Sequence, residues 1–154
     1  VPVFVDAFGP ALTAPLESVP KVVKFDHRFL FSTLGYPMGD LDDVLELVSE
    51  IHDSGVEWSV TTYRAVGNIF YTPEGIYLVD IEREEKEQMV SLLAIDDALM
   101  AGLMVALLED MDVEKAIRFA QACSLEDTLH VKKGIRGRDM VESLMPKILV
   151  EKLD

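Results

Sequence analysis

The chain has 154 residues, 49% of them hydrophobic, with 28 acids against 14 Lys and Arg and hence a formal charge of −14. That length suits one domain around a single core, the charge opposes nucleic-acid phosphates and anionic membranes, and no apolar run approaches the roughly 20 residues of a membrane span. One cysteine, Cys123, excludes an internal disulfide and fits a reducing, cytoplasmic setting, and the start Val-Pro-Val-Phe-Val-Asp, without Met or leader, raises the expectation of a truncated or engineered chain.

Residues 3–5 and 21–25 are β-branched or aromatic runs bounded by Pro and Gly, and read as strands joined through a short helical or irregular piece at 11–18. The period then changes. In residues 41–55, Leu41, Val44, Leu45, Val48 and Ile51 recur at helical spacing, with Asp40 to cap the helix and Gly55 to stop it. Val56, Trp58 and Val60 alternate as in a strand. GNIFYT and GIYLVDI, separated by Thr72-Pro73-Glu74-Gly75, read as a hairpin, and the charge run EREEKE at 82–87 as a solvated connection.

Residues 96–109, DDALMAGLMVALLE, form a helix that is apolar almost all the way round and is therefore expected to be buried. Its N-terminus, where backbone N–H groups and the helix dipole favour anions, is the expected place for chemistry, although Asp96 and Asp97 there also suit plain capping. Asp112 opens a second helix carrying Val113, Ala116, Ile117, Ala120 and Cys123 or Ser124, so the two form a hairpin. The basic loop of Lys132, Lys133, Arg136 and Arg138 reads as solvated, or as a receiver for an anion, and Asp139 caps a last helix that Pro146 stops. His27, His52 and His130 show no zinc spacing, so no metal is expected. Cys123 is taken as an apolar filler, and Met100, Met104 and Met111 as core. Strands alternating with helices predict an α/β layered fold with a mainly parallel sheet, residues 1–154 forming a single domain.

VFVDAFGPAL, GYPMGDLDDVLELVSEIHDSGVEW, TTYRAVGNIFYTPEGIY, DDALMAGLMVALLEDMDVEKAIRFAQAC and GRDMVESLMPKI follow one another along the chain. In this order they resemble the C-terminal half of the PfkB (ribokinase-like) carbohydrate kinases, nearest to the 1-phosphofructokinase and tagatose-6-phosphate kinase branch. The resemblance implies a three-layer ribokinase-like half-domain. It matches the family's G-A-G-D signature to Ala94, Ile95, Asp96 and Asp97, and so implies Asp97 as the vestigial general base that takes the sugar hydroxyl proton. Thr62 and Gly67 match the ends of a turn beside the nucleotide phosphates, with Arg64 at its first glycine; Asp26 and Phe29 stand where the family carries N-x-x-E.

Both signature glycines are gone, and a carboxylate at Asp96 faces the place of a γ-phosphate. Two unit charges about 4 Å apart repel by about 1 kcal/mol in water and about 4 kcal/mol at an effective dielectric of roughly 20. By this resemblance Phe25, Phe29, Tyr63, Leu93 and Ile95 replace polar site residues, and with Phe31 they are expected to form an apolar interface, with Phe29 and Phe31 reading equally well as core. The expectation is a non-catalytic domain without cofactor that forms a homodimer through its former active-site and truncation surface. The alternatives are a sugar or sugar-phosphate kinase fragment using Mg-ATP, and a small-ligand binder.

Overall fold

A computed structural model describes residues 1–7, 9–26 and 40–153. Its strands are β1 (Phe4–Asp6), β2 (Val22–Phe25), β3 (Trp58–Tyr63), β4 (Gly67–Thr72), β5 (Gly75–Ile81) and β6 (Ile148–Leu153). They join into one sheet in chain order. β1, β2 and β3 run parallel, and β4 turns back antiparallel to β3, so the sheet is mixed and flanked by helices, an α/β fold. The helices are α1 (Thr13–Glu17), α2 (Leu41–Asp53), α3 (Arg83–Lys86), α4 (Ile95–Leu108), α5 (Val113–Thr128) and α6 (Arg138–Leu144). By its internal packing the chain divides into two compact units, Val1–Leu78 with Lys152–Asp154, and Val79–Glu151.

In the first unit, α2 forms as its sequence dictates. The Asp40 side chain accepts from the backbone N–H groups of Asp42 and Asp43, while the Asp43 carboxylate accepts from the Asp40 N–H, a complete capping box. Gly55 ends the helix with φ +105°, a left-handed conformation that glycine adopts without a Cβ clash. Val44, Leu47, Val48 and Ile51 turn inward and pack with Leu12, Val23, Phe25, Val56 and Ile69, leaving Asp42 and Glu50 outside. β2 is buried along its whole length, Lys24 included.

In the second unit, α4 and α5 form the expected antiparallel hairpin. Asp112 caps α5 by accepting from the Lys115 N–H at 2.9 Å. The two helices are in close contact at Gly102, where an added Cβ would lie 2.7 Å from the Cys123 Sγ and 3.0 Å from the Ala120 Cα. Leu99, Met100, Leu103 and Ala106 face inward.

Several expectations need correction. α4 is not buried all round, because Ala101, Met104, Val105 and Leu108 are exposed, and Met104 is thereby not a core residue. EREEKE contains the helical turn α3, held by Glu82 to Lys147 at 3.1 Å and by Lys86 to Asp80 at 2.7 Å. The cap of α6 is Gly137 rather than Asp139, which lies in its first turn. Beyond Pro146, where no element was expected, the chain continues as β6, to whose first carbonyl, on Ile148, the Arg118 guanidinium donates. Among the described residues no helix is long and apolar enough to cross a membrane.

Candidate functional site

The start of α4 is held in place by the end of α5. Val90 and Ser91 both donate their backbone N–H to the Thr128 carbonyl, at 2.9 and 3.2 Å. Lys133 fastens the same junction, its ammonium donating to the carbonyls of Ser91 and Asp127 at 3.1 and 2.9 Å and lying 3.2 Å from the Asp127 carboxylate. The Gly134 N–H donates to that carboxylate at 2.7 Å. Two acids at the negative end of a helix are unfavourable alone, and the loop supplies counter-charges in Lys133, beside Asp127, and Arg136, 3.8 Å from buried Glu126, with the His130 ring 3.2 Å from the same carboxylate.

Arg138 is engaged too, with both guanidinium ends on the Glu109 carboxylate at 2.7 and 2.8 Å and its Nε on Glu142 at 2.7 Å. This pairing holds the Glu109 carboxyl below its ordinary 4.5 and raises the arginine further. The loop is therefore neither simply solvated nor a ready anion receiver, since Lys133, Arg136 and Arg138 are matched to carboxylates of this chain.

Residues 94–97 follow this junction. Ala94 is the N-cap, in the left-handed conformation at φ 61°, and no side chain caps the helix. Asp96 and Asp97 are therefore not caps; they occupy its first turn, Asp96 half-buried and Asp97 exposed. An alanine there loses roughly 1 kcal/mol relative to glycine, so the backbone has a glycine-like geometry at the position that the resemblance matches to the first signature glycine. The same holds in the first unit at Arg64, φ 60°, another of the positions matched to a glycine, whereas Asp96, matched to the second signature glycine, has no positive φ. Its guanidinium lies 5.3 Å from the Tyr63 ring centroid.

Among the expected site residues of the first unit, Tyr63 pairs in register with Gly67 and Thr62 with Asn68 across β3 and β4, so Thr62, Tyr63 and Gly67 do come together. Phe25 does not belong to a surface; it is fully buried in its own unit's core, because β2 is covered on both faces. In the second unit Leu93 is 72% exposed and Ile95 half-buried, consistent with an open apolar rim at the helix start. Phe29, Phe31 and His27 lie outside the described residues. His52 stacks on Tyr71 with centroids 4.2 Å apart. Among the described residues no group of three or more His, Cys, Asp and Glu is arranged to hold a metal ion.

Sequence reading missed the exposed face of α4 and a pocket of about 250 Å³ beside it, lined by Ala101 and Val105 together with Phe119, Cys123, Ile135 and Val141. Burial pushes the Cys123 thiol up to about 12, so it remains protonated and unreactive at neutral pH. The signal available in advance was the missing polar face of α4, which cannot say on which side the apolar residues find a partner.

A family model described as pfkB family carbohydrate kinase matches residues 1–129. The 1-phosphofructokinase of Haemophilus influenzae is 24% identical over 154 residues, all of this chain and 49% of the relative. A crystal structure of a possible 1-phosphofructokinase from Thermotoga maritima superposes with TM-score 0.83 at 24% identity, covering 100% of this chain and 48% of the other. Arabidopsis thaliana ribokinase, complexed with ribose and ATP, superposes with TM-score 0.77 at 20% identity, covering 94% and 47%. The chain thus spans about half the length of the relatives it matches.

Proposed function

Since the chain belongs to the pfkB family of carbohydrate kinases, we propose that it carries the catalytic-base half of an enzyme transferring a phosphoryl group from a nucleoside triphosphate to a hydroxyl of a sugar or sugar phosphate. The observation that carries this reading is Asp97, an exposed carboxylate in the first turn of a 14-residue helix whose start has a left-handed backbone at the position matched to a glycine.

Asp97 is the general base, accepting the hydroxyl proton as the oxygen attacks phosphorus. The first-turn amides of α4, at the positive end of the helix dipole, would face a bound phosphate. Mg-ATP, when bound, supplies the electrophilic phosphoryl group. The fit is imperfect, because the Asp96 carboxylate beside those amides opposes an anion by about 1–4 kcal/mol. Thr62 and Gly67 are the first unit's candidates for the nucleotide phosphates. The names of the relatives support a fructose phosphate as the first substrate to try.

The test is ADP release with Mg-ATP and fructose 1-phosphate or tagatose 6-phosphate. Turnover that Asp97→Asn lowers at least about 100-fold, with unchanged melting, supports the reading; no turnover and no heat from millimolar Mg-ATP overturns it. A second reading is a non-catalytic domain that self-associates: Asp96 favours the loss of nucleotide binding and exposed Leu93 the self-association, and sedimentation as a 34 kDa species (twice 17.2 kDa) without nucleotide binding is its expected result.

A further inference from the structure

The end of α5 and the stretch that leads into α4 are joined through one side chain. The Lys133 ammonium donates to the carbonyls of Ser91 and Asp127 and lies beside the Asp127 carboxylate, with the lysine side chain only 19% exposed and that of the aspartate 2%. A helix leaves its last carbonyls without partners and carries negative charge at that end, so a cation there is favoured on both counts. Lysine suits the place, because its ammonium is a compact charge with three donors and three oxygens surround it.

The contact with Ser91 asks for a further reason. Neutralising the end of α5 needs only the Asp127 contacts, whereas the Ser91 carbonyl belongs to another stretch, 42 residues earlier in the chain. Ser91 stands four residues before Ile95, where α4 begins, and the residues between are tethered at short range. The Leu93 N–H donates to the Ser91 Oγ at 3.3 Å and the Ile95 N–H to the Leu92 carbonyl at 3.4 Å. Where Ser91 is held, the first turn of α4 follows. Without the ammonium the Ser91 carbonyl would lose this donor, and Asp127 would be a buried carboxylate without its counter-ion.

We propose that Lys133 is a positioning residue, whose ammonium fixes Ser91 against the end of α5 and so sets the register of the first turn of α4, where Asp97 and the phosphate-facing amides lie. The proposal rests on the functional reading above for what that turn does, but the register itself is read without nucleotide.

The experiment measures hydrogen exchange, amide by amide, on the whole chain, on Lys133→Met and on Lys133→Met/Asp127→Asn, which strands no buried charge. In both variants exchange at residues 90–98 should speed at least about 10-fold relative to exchange at Leu103 and Ala106, in the buried part of the same helix. Equal acceleration at all of these amides, or loss of the fold in the double variant, would mean that the lysine holds the unit as a whole and would overturn the proposal. Calorimetry then separates position from charge. In an Asp96→Gly background, adding Lys133→Met should weaken Mg-ATP binding at least about 10-fold, and adding Asp127→Asn as well should not restore it; restoration would assign the effect to charge alone and overturn the proposal. Loosened exchange in a chain that binds no nucleotide would sink the kinase reading and leave this one intact. Nucleotide binding with exchange at residues 90–98 unmoved by Lys133→Met would do the reverse.

Discussion

Helices α2 and α4 are similar in length, 13 and 14 residues, yet they answer the same question in opposite ways. α2 separates its residues cleanly. Val44, Leu47, Val48 and Ile51 go inward, acids go outward, and a capping box closes its start, so sequence, local structure and packing agree. α4 has no polar side to give to water, lacks a side-chain cap, begins from a strained left-handed alanine, and leaves four apolar positions of one face exposed. Hydrophobic content alone therefore does not measure burial. The lesson is that an element whose local rules are broken while its inner face is well packed has its remaining determinants in function or in a partner.

The contrast sharpens most within α4. Leu103→Ala removes a fully buried side chain and should lower stability by about 2–5 kcal/mol, whereas Leu108→Ala, on the exposed face, should stay within about 0.5 kcal/mol; chemical denaturation of the two variants compares the faces directly. Equal losses would mean that the exposed face is packed. Gly102→Ala should cost about 1–3 kcal/mol, because its Cβ would meet the Cys123 Sγ at 2.7 Å. The companion Gly102→Ala/Cys123→Ala, which removes the sulfur, should recover part of that loss. The Cβ of residue 123 at 2.9 Å, which alanine keeps, and the Ala120 backbone at 3.0 Å account for what remains.

The two helix starts give the next pair. Asp40→Ala removes the α2 cap and should cost about 1 kcal/mol, while Ala94→Gly relieves the left-handed strain at α4 and should raise stability by up to about 1 kcal/mol. A loss from Ala94→Gly would show that the backbone there is not strained.

The smallest effect concerns pH. The Glu109 carboxyl, held by Arg138 below its ordinary value, adds stability that is complete above about pH 4.5 and fades as pH falls through its folded value. Glu109→Gln should therefore be slightly less stable than wild type at pH 6 and approach it at pH 3; a constant difference would place the effect elsewhere.

Much of this was legible in advance because it rests on local chemistry. Asp40, Gly55 and Asp112 announce helix ends through short-range hydrogen bonds and backbone preference, and the alternation at Val56, Trp58 and Val60 announces β3. What was not legible depends on distant groups. Lys133 reads as a solvated cation until the fold brings the carbonyls of Ser91 and Asp127 to it. Phe25 reads as a surface residue until β2 proves to be covered on both faces. At the candidate site, Asp97 is singled out by its motif, whereas the left-handed backbone at Ala94 and Arg64 emerges only in the fold, since neither residue type asks for it. β6 was lost because Pro146 marks only the end of a helix and says nothing about a strand beginning two residues later.

The most direct test of the account is a calorimetric titration of Mg-ATP into the chain and into Asp96→Gly. If the start of α4 is a phosphate seat weakened by one carboxylate, wild type binds feebly and Asp96→Gly binds at least about 5-fold more tightly, the equivalent of about 1 kcal/mol. Affinity that falls in Asp96→Gly, or heat absent from both proteins at millimolar nucleotide, would contradict it.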